Sequence, residues 1–237
     1  MITLPLILFL FAADGGAPAD PKKDDGDKRA ASAVNVAVKD ILGRVQKFYD
    51  GITDLKATFK QDLTDVRYNR RQTFYGYVRL KKPGKMRWDF QSPEKKLFVS
   101  DGKLLWVYEP EDEQVFKQTL TESTLPSTVT FLFGKGRFDK EFDASAPEDG
   151  GGVQTTAPGQ IVLKLVPRAP NPQYKHLLFV VDMMSGQVAR TVVFDHDGKI
   201  NSIAFTSVET NSKQPDSHFQ FTPPKGVKVL DPNKMKK

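Results

Sequence analysis

The sequence contains no cysteine among its 237 residues. This absence excludes disulfides, thiolate metal sites, cysteine nucleophiles and anchoring through a lipid-modified N-terminal cysteine. Hydrophobic residues make up 39% of the chain, which is enough for a substantial core. The length suits one domain of the larger all-β kind or two small domains.

Histidine is also scarce, with only His176, His196 and His218 in the chain. None of them lies in a spacing typical of a metal site, and no phosphate-binding loop or nucleophile elbow follows a predicted strand. The run 195–197 precedes Gly198 and predicts an exposed hairpin turn rather than a ligand cluster. We therefore predict a protein that is not an enzyme and needs no cofactor or metal, with a catalytic triad dispersed along the chain as the alternative.

One long apolar run stands at the N-terminus, where residues 1–13 read MITLPLILFLFAA. This run has the length of a signal peptide, and Ala17-Pro18-Ala19 places small residues at the spacing of a cleavage site. A membrane span would need about 20 apolar residues. We predict a signal peptide over residues 1–19, atypical because nothing basic precedes the apolar run, and a buried strand or helix is the alternative.

A polar stretch separates this run from the folded part. Residues 20–33 mix glycine, proline, alanine and both charge signs without periodicity, which predicts a flexible linker. The domain is then expected over residues 34–237. Its first element is an amphipathic helix ending near Asp50-Gly51, because apolar residues recur at three and four positions from Val34 to Ile52.

Downstream, the apolar period changes to two. Met86, Trp88 and Phe90 alternate with charged residues, and residues 55–60 and 76–81 show the same pattern. Asp-Gly, Pro-Gly and Ser-Gly steps divide these runs, which predicts about eleven antiparallel strands, including one at residues 218–223. The aromatic run around Trp106 follows one such step, Asp101-Gly102.

A short second helix is predicted between two of these strands. Pro126 suits a first helical turn, Gly134 suits a helix end, and Leu132 and Phe133 share one face with Leu125. Two helices are few for covering the apolar face of a curled sheet of this size. We infer an apolar cavity that binds an apolar ligand, and a core filled by its own side chains is the alternative.

The formal net charge is +6, from 35 lysines and arginines and 29 aspartates and glutamates. Tyr75, Tyr77, Arg79, Lys81 and Arg87 would form a basic, aromatic strand face of a kind that binds nucleic acid. The ordinary wet face of a sheet explains the same pattern, because lysine and arginine discourage edge pairing. We therefore predict no nucleic-acid partner.

Three segments carry a resemblance to a known family. They read KKPGKMRWDFQSPE at 81–94, VSDGKLLWVYEP at 99–110 and FQFTPPKGVKVLD at 219–231, and they follow the N-terminal helix and LKATFKQ in order. In this order and spacing the chain resembles the LolA family of periplasmic lipoprotein carriers. The resemblance spans residues 34–231.

The resemblance implies a mainly β fold with helices: an unclosed antiparallel β-barrel of about eleven strands lidded by an N-terminal helix and a short internal helix. It further implies a monomeric periplasmic chaperone that binds the acyl chains of lipoproteins. An inner-membrane ATP-binding-cassette exporter would deliver this cargo, and an outer-membrane acceptor would receive it. The missing cysteine favours the soluble carrier over the lipid-anchored acceptor.

The resemblance also suggests which residues matter. The residues expected to line the acyl-chain site are Phe59, Met86, Trp88, Phe90, Trp106, Leu132 and Phe133. Lys82 stands where these carriers usually have an arginine that holds the lid closed, so we expect a weaker latch there. The alternatives are a periplasmic lipid- or glycolipid-binding or sensing protein of the same fold and, less favoured, a hydrolase of lipid esters.

Overall fold

The computed structural model describes residues 25–120 and 136–231. One long helix, α1 (Asp25–Gly51), precedes the sheet, and a single helical turn lies at Phe138–Glu141. The strands are β1 (Asp54–Asp65), β2 (Arg70–Lys81), β3 (Lys85–Ser92), β4 (Lys96–Asp101), β5 (Leu104–Glu109), β6 (Gln114–Thr119), β7 (Phe142–Ser145), β8 (Gln160–Pro167), β9 (His176–Asp182), β10 (Val188–Phe194), β11 (Lys199–Thr210) and β12 (Lys228–Leu230). Short 3₁₀ turns lie at Glu148–Gly152 and Asp216–Phe219.

The twelve strands form one unclosed sheet in the order β12-β6-β5-β4-β3-β2-β1-β11-β10-β9-β8-β7. Ten of the eleven strand pairings are antiparallel, as predicted, while β12 adds to β6 in parallel. Strand β1 lies in the middle of the sheet, where it pairs with β2 on one side and with β11 on the other. An N-terminal half, β1–β6 with β12, is thereby joined to a C-terminal half, β7–β11.

Helix α1 covers the inner face of the sheet. Its buried side chains Val38, Ile41, Val45 and Tyr49 belong to the same core cluster as the inner-face residues of the strands. The turn between β9 and β10 approaches the helix so closely that a Cβ on Gly186 would lie 2.4 Å from the Arg44 backbone. Glycine is required there because a side chain has no space.

The helix begins earlier than the periodicity indicates. It starts at Asp25, inside the stretch predicted as a linker, rather than at Val34. Alanine is the strongest helix former and recurs in residues 30–33, so this segment extends a helix that the apolar stripe anchors further on. The second predicted helix lies outside the described residues.

The segment after β11 differs from its prediction. Residues 218–223 form no strand; a 3₁₀ turn at Asp216–Phe219 buries Phe219 against the outer face of the sheet instead. Pro215, Pro223 and Pro224 flank this segment and have no N–H to donate to a sheet, which disfavours pairing. Phe221 continues the packing, 5.8 Å from Trp106 between ring centroids.

A buried carboxylate anchors the start of this segment. Asp54 accepts hydrogen bonds from the Ser212 N–H at 3.0 Å, the Ser212 hydroxyl at 2.9 Å and the Lys213 N–H at 3.1 Å. The Gln214 amide adds a longer bond at 3.3 Å. Burial alone would raise the pKa of Asp54, but these hydrogen bonds outweigh it and hold the pKa below its usual range.

Candidate functional site

The inner face of the N-terminal half is built from aromatic and aliphatic side chains. The strand register places Val78, Trp88, Phe98 and Val107 side by side across β2–β5. Because side chains alternate between the faces of a strand, Met86 and Phe90 lie on this face with Trp88. Phe59 of β1 joins them, with its ring 4.9 Å from the rings of both Trp88 and Phe90.

A missing side chain makes room for this aromatic cluster. Gly76 of β2 lies between Phe59 and Phe90 in the register, and a Cβ there would be 2.8 Å from the Phe59 ring and 2.2 Å from the Asp89 carbonyl oxygen. The Phe59 ring therefore lies directly over the glycine backbone. Any larger residue at position 76 would displace this ring from the cluster.

Exposure varies along the cluster. Phe59, Met86 and Trp88 are buried beneath the helix, whereas Phe90 and Phe98 are only partly buried. Phe74, also partly buried, extends the row with its ring 6.0 Å from Phe90. The aromatic surface thus runs from the core towards solvent, which suits the entry of an apolar ligand because part of the binding surface is already accessible.

Two polar atoms interrupt the apolar inner face. Trp88 Nε1 and Thr191 Oγ1 are buried and have no hydrogen-bond partner among the described residues. An unsatisfied buried donor costs about 1–3 kcal/mol of stability, so the arrangement is unfavourable unless a bound ligand accepts the hydrogen bond. An ester or amide carbonyl of an acylated ligand has the chemistry to accept the bond from Trp88.

Trp106 does not belong to this site, so its assignment as a ligand-lining residue is wrong. The register pairs it with Val99 and Lys117, which lie on the outer face, and Lys117 places its ammonium 5.0 Å from the centre of the indole ring. The C-terminal segment covers the other side through Phe221. Apolar residues fill every position from Leu104 to Tyr108, so the sequence had no alternation from which to read the correct face.

Lys82 contacts the end of α1. Its ammonium donates to the Tyr49 carbonyl oxygen and, at 3.3 Å, to the Asp50 carbonyl oxygen. These carbonyls belong to the last helical turn, where four acceptors have no partner within the helix and a cation is favourable. Burial holds the pKa of Lys82 below its usual range despite the nearby charge of Asp50.

The remaining predicted residues, Leu132 and Phe133, lie outside the described residues. Sequence reasoning did not select Phe74, Phe98 or Gly76, nor Phe205, whose ring lies 6.3 Å from that of Trp88 between centroids. The two-residue period around Gly76 was a usable signal for Phe74, which is two positions away on the same strand. Nothing comparable marked Phe98, because apolar residues occupy every position from 97 to 99.

Two features are absent from the described ranges, 25–120 and 136–231. No group of three or more histidine, aspartate or glutamate side chains is arranged to hold a metal ion. No helix in these ranges combines the length and the apolarity that a membrane span needs.

Comparison with known proteins gives consistent matches. Residues 50–222, more than half of the chain, match the model of the family described as outer membrane lipoprotein carrier protein LolA. An outer-membrane lipoprotein carrier protein of Methylococcus capsulatus is 29% identical over 188 residues, covering 79% of this chain and 86% of that protein. A protein of the same name from Xanthomonas axonopodis pv. citri is 31% identical, covering 77% of this chain and 84% of its own length.

Among solved structures, an uncharacterized conserved protein from Thermus thermophilus has a similar fold. The TM-score is 0.50 at 15% sequence identity, and the match covers 82% of this chain and 99% of that one. At this identity the similarity concerns the fold alone.

Proposed function

The chain belongs to the LolA family of outer-membrane lipoprotein carriers, and we propose that it carries lipoproteins through the periplasm by enclosing their acyl chains. In this proposal an inner-membrane ATP-binding-cassette exporter loads the cargo and an outer-membrane acceptor receives it. No covalent bond is made or broken by the carrier in this cycle, so in this proposal the protein acts as a chaperone rather than an enzyme.

The observation that carries the proposal is the aromatic inner face that passes from buried to half-buried. Burying one acyl methylene contributes about 0.8 kcal/mol, so even part of an acyl chain against Phe90 and Phe98 would bind measurably. Complete enclosure of a diacylated chain would make release too slow for a carrier. The aromatic rings of the inner face already pack against one another, so the ligand must displace contacts such as that between Phe59 and Trp88, and this lowers the net binding free energy.

Trp88 supports an acylated ligand in particular. Its Nε1 donor has no partner among the described residues and lies within a largely apolar face. A hydrocarbon without a carbonyl would leave this donor unsatisfied, whereas the ester or amide of an acyl group would satisfy it. The hydrogen bond from Trp88 Nε1 to the ligand carbonyl would then favour acyl groups over other apolar ligands that bury an equal area.

In this proposal Lys82 favours the release of the cargo. Its bonds to the α1 carbonyls stabilise the position in which the helix covers the aromatic face. Cargo that displaces the helix breaks these bonds, and restoring them after release favours the empty state. Lysine provides this contact through a compact charge with three donors rather than a planar fork, so we expect a weaker latch than arginine would give.

The direct test is to identify what the protein binds in the periplasm of a producing cell. Organic extraction of the purified protein followed by mass spectrometry should recover diacylglyceryl-modified polypeptide. Free glycolipid in its place would favour the alternative lipid-sensing role of the same fold. Empty protein that also fails to bind a naphthalene-type fluorescent probe would contradict both.

A matched pair of variants locates the site. Phe90→Asp places a charge on the aromatic inner face, and Phe194→Asp makes the same change at a partly buried phenylalanine that packs in the separate outer cluster. We expect probe binding per folded molecule to fall only in Phe90→Asp. Equal binding by both variants, measured beside their melting temperatures, would show that the inner face is ordinary core.

A further inference from the structure

The outer face of the N-terminal half carries two like-charged pairs side by side. In the register of β2 and β3, Lys81 lies opposite Lys85 and Arg79 lies opposite Arg87. Residues directly opposite in an antiparallel pair have Cβ atoms about 4.5–5.5 Å apart, and like charges at this distance destabilise the sheet. Four cations on neighbouring rungs therefore need a counter-charge.

The lysine pair has its counter-charge within the protein. The Asp216 carboxylate bridges both ammonium groups, with 2.7 Å to Lys81 Nζ and 2.5 Å to Lys85 Nζ. Hydrogen bonds from these two lysines lower the pKa of Asp216 to about 2. The repulsion between the lysines is thus offset by a single anion held between them.

The arginine pair has no such bridging anion among the described residues. Arg87 Nη2 lies 3.4 Å from Asp89 Oδ2, at the long end of a hydrogen bond, and Arg87 Nη1 lies 3.5 Å from the His218 carbonyl oxygen. Arg79 Nη1 donates to the neutral Gln214 side chain at 3.4 Å. Each guanidinium offers five N–H donors, so most of these donors have no partner in the part of the chain that the structure describes.

A pocket opens at this position. It has a volume of about 360 Å³ and is lined by Tyr77, Arg79, Arg87, Asp89, Ser217 and His218. Liquid water takes about 30 Å³ per molecule, so the pocket has room for a group much larger than a single water. Tyr77, at 53% exposure, forms an accessible aromatic wall on one side.

His218 lines the same pocket. Its Nδ1 is buried and has no hydrogen-bond partner among the described residues. Burial, with the nearby charges of Arg79 and Arg87, holds the pKa of the imidazole below its usual range. Two arginines, the Asp89 carboxylate and an imidazole nitrogen without a partner among the described residues therefore line one pocket on a face that the proposed acyl-chain site does not use.

We propose that Arg79 and Arg87 form an anion-binding pocket that takes a phosphate group, present as free phosphate ester or as the headgroup of an acidic phospholipid. The bound phosphate would bridge the arginine pair as Asp216 bridges the lysine pair. Arginine suits this task because its planar fork matches phosphate oxygens in a bidentate contact. Tyr77 would pack against the carbon atoms adjoining the phosphate.

The test uses the purified protein, inorganic phosphate as the soluble probe, and vesicles of phosphatidylcholine with or without phosphatidylglycerol. An Arg79→Gln/Arg87→Gln variant removes both guanidinium groups. An Arg70→Gln/Arg71→Gln variant loses the same charge at the opposite end of β2, outside the pocket. Calorimetric titration at constant ionic strength and vesicle sedimentation are measured for all three proteins.

We expect phosphate affinity to fall by at least about tenfold in the Arg79/Arg87 variant and to stay unchanged in the control. The lipid headgroup is the source if the protein sediments only with vesicles that contain phosphatidylglycerol and if inorganic phosphate reduces this sedimentation by competition. Phosphate binding without sedimentation assigns a free phosphate ester. Loss of both kinds of binding in the control as well, or no difference between wild type and the Arg79/Arg87 variant, overturns the proposal.

Stability distinguishes this role from a structural one. The glutamine variant lacks the repulsion between the two arginines, so its melting temperature in phosphate-free buffer should equal or exceed that of the wild type. A lower melting temperature would mean that the arginines stabilise the fold. An Arg79→Lys/Arg87→Lys variant serves if the glutamine variant does not fold, because it keeps both charges. Weaker phosphate binding by this lysine variant supports the bidentate contact, and binding equal to wild type contradicts it.

Discussion

The two halves of the sheet bury their strands in different ways. In the C-terminal half, β9 is buried on both faces from Leu177 to Val181, with the helix side packed in the main core and Leu178 and Val180 in a second cluster outside. In the N-terminal half, the inner face is aromatic and only partly buried at Phe74, Phe90 and Phe98, and the outer face carries lysine and arginine. The C-terminal half is packed as a rigid support, whereas the N-terminal half leaves part of each face accessible to solvent.

Close packing on both sides allows little adjustment, because an interior at crystal-like density resists changes of even one methylene. A binding surface must tolerate displacement of its own side chains. The aromatic row between Phe59 and Phe98 contacts mainly through ring edges, with centroids between 4.9 and 5.8 Å for neighbouring rings. We infer that ligand-dependent change is confined to the N-terminal half while β7–β11 keep their packing.

The largest expected effect compares one phenylalanine from each half. Phe179→Ala, at a residue with 0% exposure, should lower the free energy of unfolding by about 3–5 kcal/mol through loss of burial and the cavity left behind. Phe98→Ala, at a partly buried residue, should cost clearly less stability and should weaken probe binding per folded molecule. Urea unfolding and fluorescence titration measure the two quantities. Equal stability losses with unchanged binding in both variants would remove the distinction between the halves.

The next effect concerns the joint between the halves at β1. Asp54→Ala should cost about 1.5–3 kcal/mol, because hydrogen bonds to a charged acceptor are lost and the N–H groups of Ser212 and Lys213 lose their partner. The pKa of Asp54 is lowered in the folded state, so its contribution is present above the unfolded-state value and is lost as the pH falls through the folded-state pKa.

Thermal unfolding of wild type and Asp54→Ala across a pH series checks this sign. The difference in stability between the two proteins should be constant near neutral pH and should shrink in the acid range below the usual aspartate pKa of about 4. A difference that instead grows as the pH falls would contradict the assigned direction. Asp65→Ala, at a half-exposed aspartate at the other end of β1, serves as the control.

A smaller effect on stability is expected at the contact between Lys82 and α1. Lys82→Leu removes a cation from the helix C-terminus, which costs about 0.3–1 kcal/mol. The variant should still fold and load cargo but release it slowly, because the empty state has lost its latch, while Lys82→Arg should release faster than wild type. A transfer assay from loaded carrier to acceptor membranes measures this, and identical delivery by all three proteins would reduce Lys82 to an ordinary helix-capping contact.

The smallest change in stability is expected from Trp88→Phe. The variant loses apolar area but also loses an Nε1 donor that has no partner in residues 25–120 and 136–231, and these two contributions oppose each other. Binding should nevertheless change: affinity for an acyl ester should fall relative to affinity for an alkane of the same length. Parallel titrations with the two ligands check the ratio. A ratio that stays the same as in wild type would mean that the indole donates no bond to the ligand.

Much of the architecture follows from local patterns. The alternation of Met86, Trp88 and Phe90 with Lys85, Arg87 and Asp89 identified both the strand and its inner face, because side-chain direction in a strand follows from parity alone. The Asp-Gly and Pro-Gly steps located the hairpins for a similarly local reason, since each demands a backbone conformation that few residues adopt. Helix α1 was recognised from its apolar stripe, although its polar first turns were not.

Local patterns were enough to identify most of the strands, their antiparallel pairing and the inner position of Trp88, since these depend on neighbours along the chain. The outward position of Trp106 beneath Phe221 depends on the folded structure, because residues 104–108 are all apolar and the covering segment lies far along the chain. The same holds for Arg79 and Arg87. Their opposition depends on strand register, and the lack of an anion that bridges them among the described residues depends on where Asp216 lies, so neither could be seen before the chain was folded.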